Sequence, residues 1–132
     1  MKSIALPIAD RGRSFRFYRD LGMDAQGTPA DDGVPEPLVV DAQGLAVILV
    51  PADGFSYVLN GRPVTASGAS ECILSLEMSS ASEVDSWHRL AVAAGAKTIA
   101  VPELRPWGYT AIVADPDGHA WEATARGDES PA

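Results

Sequence analysis

The feature that most constrains this chain is an internal repeat at a shift of 70 residues. Ile4-Ala-Leu-Pro-Ile-Ala-Asp10 falls over Leu74-Ser-Leu-Glu-Met-Ser-Ser80, and both stretches alternate like half-buried strands, Leu6 and Ile8 matching Leu76 and Met78. Each ends on a residue suited to cap a helix. Asp10 caps a helix expected from about Arg11 to Leu21, with Ser14, Phe15, Tyr18 and Leu21 near one face. Ser80, with Glu83 three residues later, forms a capping box for a helix over about Ala81 to Ala94. Its core stripe is Val84, Trp87, Leu90, Ala91 and Ala94. Gly22 and Gly95 fall where left-handed stops are expected, so each half begins strand, helix, glycine.

Extended segments follow each helix: near Met23 to Gln26, Leu38 to Asp41 and Leu45 to Val50, then near Lys97 to Val101, Tyr109 to Ala114 and Ala120 to Ala125. The order βαβββ is therefore read twice. Gln43-Gly44 and Asp117-Gly118 take matching hairpin-turn positions. Gly27 to Pro37 reads as a mobile loop. The expected organisation is one domain over residues 1–132: a first module at 1–52, a linker at 53–70, a second module at 71–126 and a frayed tail at 127–132.

Composition excludes several functions. A net charge of -8 leaves no clustered Lys and Arg to hold phosphates, so no nucleic-acid role is expected. Acidity keeps a protein soluble, and it also favours cationic small molecules. Met1-Lys-Ser-Ile-Ala-Leu-Pro7 has no long apolar signal region and no apolar run is long enough to span a bilayer, so a soluble, cytoplasmic protein without a membrane role is expected. Cys72, the single cysteine, reads as a small core residue.

The densest chemistry lies between Arg105 and Glu122. Asp115-Pro-Asp-Gly118 has turn composition, and Glu122 follows on a strand beside Trp121. A carboxylate there can bind a metal, act as a base, pair with a cationic ligand or face water. Trp107, Tyr109, Trp121, Phe55 and Tyr57 lie in loops or at strand ends, where aromatic faces can bind planar or cationic compounds or can form core and subunit contacts. Arg105 can meet a ligand anion or an acidic neighbour. No nucleophile with an evident base is visible, and His88 and His119 read as surface residues.

Ser3-Ile-Ala-Leu-Pro-Ile-Ala-Asp10, Phe15-Arg-Phe-Tyr-Arg-Asp-Leu-Gly22, and Trp107-Gly-Tyr109 with Asp115-Pro-Asp-Gly-His-Ala-Trp-Glu122 resemble the vicinal oxygen chelate superfamily of glyoxalases, bleomycin-resistance proteins and extradiol dioxygenases. The resemblance implies an α+β fold of two βαβββ modules whose mixed sheets curl into a cup, and a homodimer. Metal-dependent members carry ligands on the first and fourth strands of each half. Here those places hold Ser3, Ile73 and the wholly apolar Leu45-Ala-Val-Ile-Leu-Val50, and only Glu122 matches. No metal and no cofactor are therefore expected. The alternative is an oxygen-rich magnesium or manganese site of Glu71, Glu77 and Glu122.

The resulting expectation is a metal-independent protein of the bleomycin-resistance type that sequesters a cationic or planar small molecule. Glu122 supplies charge, with Trp107, Tyr109, Trp121, Phe55, Tyr57 and Arg105 around the ligand and no catalytic residue assigned. The alternatives are a metal-dependent glyoxalase-like lyase, isomerase or dioxygenase using Glu122, and a dimeric interaction module without a ligand.

Overall fold

The computed structural model describes residues 2–65 and 68–126. The chain divides into two compact units, 1–66 and 67–132. The first unit runs β1 (Ser3–Ile8), α1 (Arg11–Asp20), β2 (Ala25–Pro29), β3 (Pro35–Ala42), β4 (Leu45–Pro51) and α2 (Ala52–Val58). The second runs β5 (Ile73–Glu77), α3 (Ala81–Ala94), β6 (Lys97–Arg105), β7 (Gly108–Ala114) and β8 (Ala120–Ala125). Each unit holds one four-stranded mixed sheet, in the orders β1-β4-β3-β2 and β5-β8-β7-β6. The fold is α+β, two βαβββ modules of the same topology, as the repeat predicts. In both, the module's last strand inserts beside its first as a parallel neighbour, while the other pairings are antiparallel.

Helix ends lie where their caps place them. Asp10 Oδ1 accepts from the Arg13 N–H at 3.0 Å, and this bond holds the Asp10 carboxyl below its ordinary pKa. Ser80 Oγ accepts from the Glu83 N–H at 3.1 Å, and Glu83 reaches back to the Ser79 N–H at 2.9 Å, which likewise lowers the Glu83 pKa. Gly95 ends α3 in the left-handed conformation. Gln43 and Gly44 both take positive φ, the geometry of a tight primed hairpin turn.

One face of each sheet is covered by a helix. In the first unit α1 packs on β2, β3 and β4, and the core gathers Leu6, Ile8, Phe17, Tyr18, Leu38, Val40, Val47 and Leu49. In the second, α3 packs on β6, β7 and β8 with Val84, Trp87 and Ala91 facing Leu74, Leu76, Val113, Trp121 and Ala123. Each fully buried large apolar side chain contributes about 1.5–3 kcal/mol relative to exposure.

Several expectations are corrected. Phe17, rather than Phe15, is the buried aromatic beside Tyr18, and Leu90 is exposed on α3. Residues 53–58 of the expected linker belong to α2, which packs on β1 and β4. Gly27 to Pro37 is a hairpin rather than a free loop, because Arg11 clamps it: its guanidinium meets Asp32 at 2.8 Å and Glu36 at 3.0 Å, and donates to the Val34 and Pro35 carbonyls. Cys72 is exposed, just ahead of β5. The tail at 127–132, expected to fray, lies outside the described residues. No helix among the described residues is long and apolar enough to cross a membrane.

Candidate functional site

Strand alternation builds the site. β5 buries Leu74 and Leu76 on the helix side and exposes Ile73, Ser75 and Glu77 on the other. The parallel register sets Ser75 opposite Glu122 and Glu77 opposite Thr124, so these four share the face that α3 leaves open. β7 brings Thr110 opposite Thr124 and Ile112 opposite Glu122 on the same face. The Ser75 hydroxyl donates to Glu122 Oε1 at 2.6 Å, a short, charge-assisted bond that fixes the carboxylate's direction. Thr110 and Thr124, both buried, share a hydrogen bond of 2.9 Å.

The β6–β7 turn supplies the aromatic. Gly108 opens β7 with φ +145°, and a Cβ there would lie 2.7 Å from the Ala125 carbonyl oxygen and 3.1 Å from Thr124 Oγ1. Only a glycine lets the start of β7 approach the end of β8 this closely. The approach carries Trp107, one residue earlier, to the concavity. Ser75, Glu77, Trp107, Glu122, Thr124 and Arg126 line a volume of about 390 Å³. Trp107 is 49% exposed, whereas Trp87 is 8% and Trp121 0% exposed.

Two carboxylates and one guanidinium therefore line this hollow. Glu77 and Arg126 approach to 3.6 Å, both well solvated, a pair worth about 0–1 kcal/mol. Arg105 stands behind the indole. Its guanidinium carbon is 5.6 Å from the Trp107 ring centroid, and its Nε is 3.4 Å from Glu103. Of the two roles open to Arg105 in the sequence, it takes the acidic neighbour, and it covers part of the indole.

The structure separates residues that the sequence grouped. Trp121 and Tyr109 do not line the face of Glu122. Trp121 pairs across the ladder with Leu74 and is wholly buried on the α3 side. The Tyr109 hydroxyl donates to Asp85 Oδ1 of α3 at 2.8 Å, and the carboxylate raises the phenol's pKa. Phe55 and Tyr57 belong to α2 of the first unit, where Tyr57 is 82% exposed. Glu122, Trp107 and, behind it, Arg105 remain together. Ser75, Thr124 and Arg126 were missed by sequence reasoning, although they have the strand parity of Glu77 and Glu122, which is the signal that finds them.

The donors do not fit a divalent ion. Glu71 precedes β5, Glu77 faces Arg126, and Ser75 already donates to Glu122. Among the described residues no three His, Cys, Asp or Glu side chains converge as metal donors.

The sequence profile of the Glyoxalase/Bleomycin resistance protein/Dioxygenase superfamily matches residues 1–123. The chain belongs to this superfamily. No curated protein matches its sequence. Among solved structures, hypothetical protein SA1046 from S. aureus superposes with a TM-score of 0.81 at 24% identity, covering 95% of this chain and 92% of that one. A glyoxalase-related enzyme from Fulvimarina pelagi gives 0.80 at 24% identity, covering 95% and 86%. TnmS3, an antibiotic binding protein from Streptomyces sp. CB03234, gives 0.66 at 21% identity, covering 96% and 95%. At these identities the likeness establishes the fold that superfamily members share.

Proposed function

We propose that this superfamily member binds a small, planar, positively charged molecule on the open face of its second sheet and sequesters it without a metal. The carrying observation is the Glu122 carboxylate, aligned by Ser75 at 2.6 Å and set in a concavity whose one aromatic wall is the half-exposed Trp107. A fixed carboxylate beside an indole face offers charge pairing and stacking to one guest. Capture needs affinity alone, and the Ser75 hydroxyl serves it by orienting Glu122. The antibiotic-binding description of TnmS3 agrees with this reading. A homodimer, implied by the family resemblance, is part of the same proposal and is read by sedimentation.

The second reading, a metal-dependent lyase, isomerase or dioxygenase, draws on Glu122 alone, which occupies a place where metal-dependent relatives carry a ligand. A thermal-shift screen over divalent metals and aromatic cations separates the two. A guest at 100 times its Kd raises stability by about 2.7 kcal/mol. The expected result is a shift with aromatic cations that Glu122→Gln and Trp107→Ala each abolish. A shift with metals only, lost in Glu122→Gln, overturns capture in favour of metal chemistry.

A further inference from the structure

We infer that the guest is amphoteric: a flat ring carrying a protonated amine toward Glu122 and a carboxylate or similar anion toward Arg126. This rests on the guest-binding reading above and names the class of molecule that the same hollow selects. Arg126 lines the concavity along with Glu122 and Glu77, so a guest's second positive charge would approach a guanidinium, whereas an anion there takes the place of Glu77 as its partner. Its present partner holds it weakly. At 3.6 Å, the contact with Glu77 is longer than a charge-assisted hydrogen bond, and the two side chains are 76% and 70% exposed. Exchanging that partner for a guest anion costs little, because Glu77 stays solvated when released.

Both charges belong to one hollow. Glu122 and Arg126 are four residues apart at the end of β8, about 13 Å between backbones at the rise of a strand. Both side chains line the hollow, so one guest held there meets both charges. Trp107 lines the same hollow, and Arg105 covers part of its indole, so the guest stacks on what remains free. A volume of about 390 Å³ suits such a ring and its two substituents.

The chain carries its own reporter. Of three tryptophans, Trp87 and Trp121 are buried, so quenching by a small aromatic reads Trp107. The full chain is titrated near pH 7 with 4-(aminomethyl)benzoate, benzylamine and p-xylylenediamine, following tryptophan fluorescence. The expected order of affinity is zwitterion, monocation, dication, with about tenfold between the first two, the worth of one charge-assisted bond. Arg126→Gln removes the zwitterion's advantage over benzylamine without weakening benzylamine, whereas Glu122→Gln weakens every amine. If benzylamine binds as tightly as the zwitterion, or Arg126→Gln weakens both alike, the amphoteric guest is refuted and capture of cations stands. If no probe quenches Trp107, the capture reading fails with it.

Discussion

Trp107 and Trp121 are the same residue type within one hairpin and its flank, yet the fold gives them opposite duties, and a pair of alanine substitutions measures the difference. Trp121 is completely buried on the α3 side of β8, across from Leu74. A buried indole removes about 150–250 Å² from water, which at about 25 cal/mol/Å² amounts to roughly 4–6 kcal/mol. Alanine keeps part of that burial but leaves a cavity, so Trp121→Ala is expected to cost about 3–5 kcal/mol. For a chain of this size that lowers the melting temperature by roughly 10–20 °C. Trp107→Ala removes a half-exposed side chain with one cation–π neighbour, Arg105, and is expected to change stability by about 0.5 kcal/mol or less. Urea unfolding followed by far-UV circular dichroism gives both values on one scale. Equal costs for the two variants, or less than about 1 kcal/mol for Trp121→Ala, would refute the assignment of faces on which the site depends.

Gly108→Val forces a side chain against the Ala125 carbonyl at a φ that valine avoids, and thermal melts should show a loss of about 1–3 kcal/mol together with weaker guest quenching of Trp107. Arg11→Met frees the β2–β3 hairpin from four contacts, so amide exchange at Ala30 and Val34 should speed up, with about 1–2 kcal/mol lost globally. Asp10 and Glu83 have folded pKa values below their ordinary ones, so the unfolded chain takes up their protons first as pH falls. Their stabilisation is complete above about pH 5 and disappears as acid protonates the folded carboxyls, so Asp10→Asn and Glu83→Gln should each flatten the acid limb of a stability profile. Unchanged acid limbs would show that these caps contribute nothing to acid unfolding.

Local rules carried much of the fold. Asp10, Ser80 with Glu83, and Gly95 act through neighbours within four residues, so caps and glycine stops were readable, and the doubled βαβββ order followed from them. Strand facing was harder. Trp121 and Glu122 are adjacent, and adjacent residues of a strand point to opposite sides, so their grouping as one pocket wall contradicted the period of two. Tyr109 fails for the same reason, one residue from Thr110. Ser75 stayed invisible because its importance comes from a parallel ladder joining it to a residue 47 positions away, and register of that kind follows from packing. The α2 segment holds Gly54 and Ser56, poor helix formers, and its packing on β1 and β4 outweighs that propensity.

Because each closing strand slots between two earlier ones, neither sheet can be completed in the order in which it is synthesised. On the ribosome, β5, β6 and β7 emerge with an empty lane between β5 and β7, and β8, the last made of the eight, fills it. The same strand brings Trp121 to the core and Glu122 to the hollow. A nascent chain stalled before Ala120 therefore lacks Glu122 and Trp121 together, so the carboxylate of the hollow and the largest buried side chain of the second unit arrive in a single step.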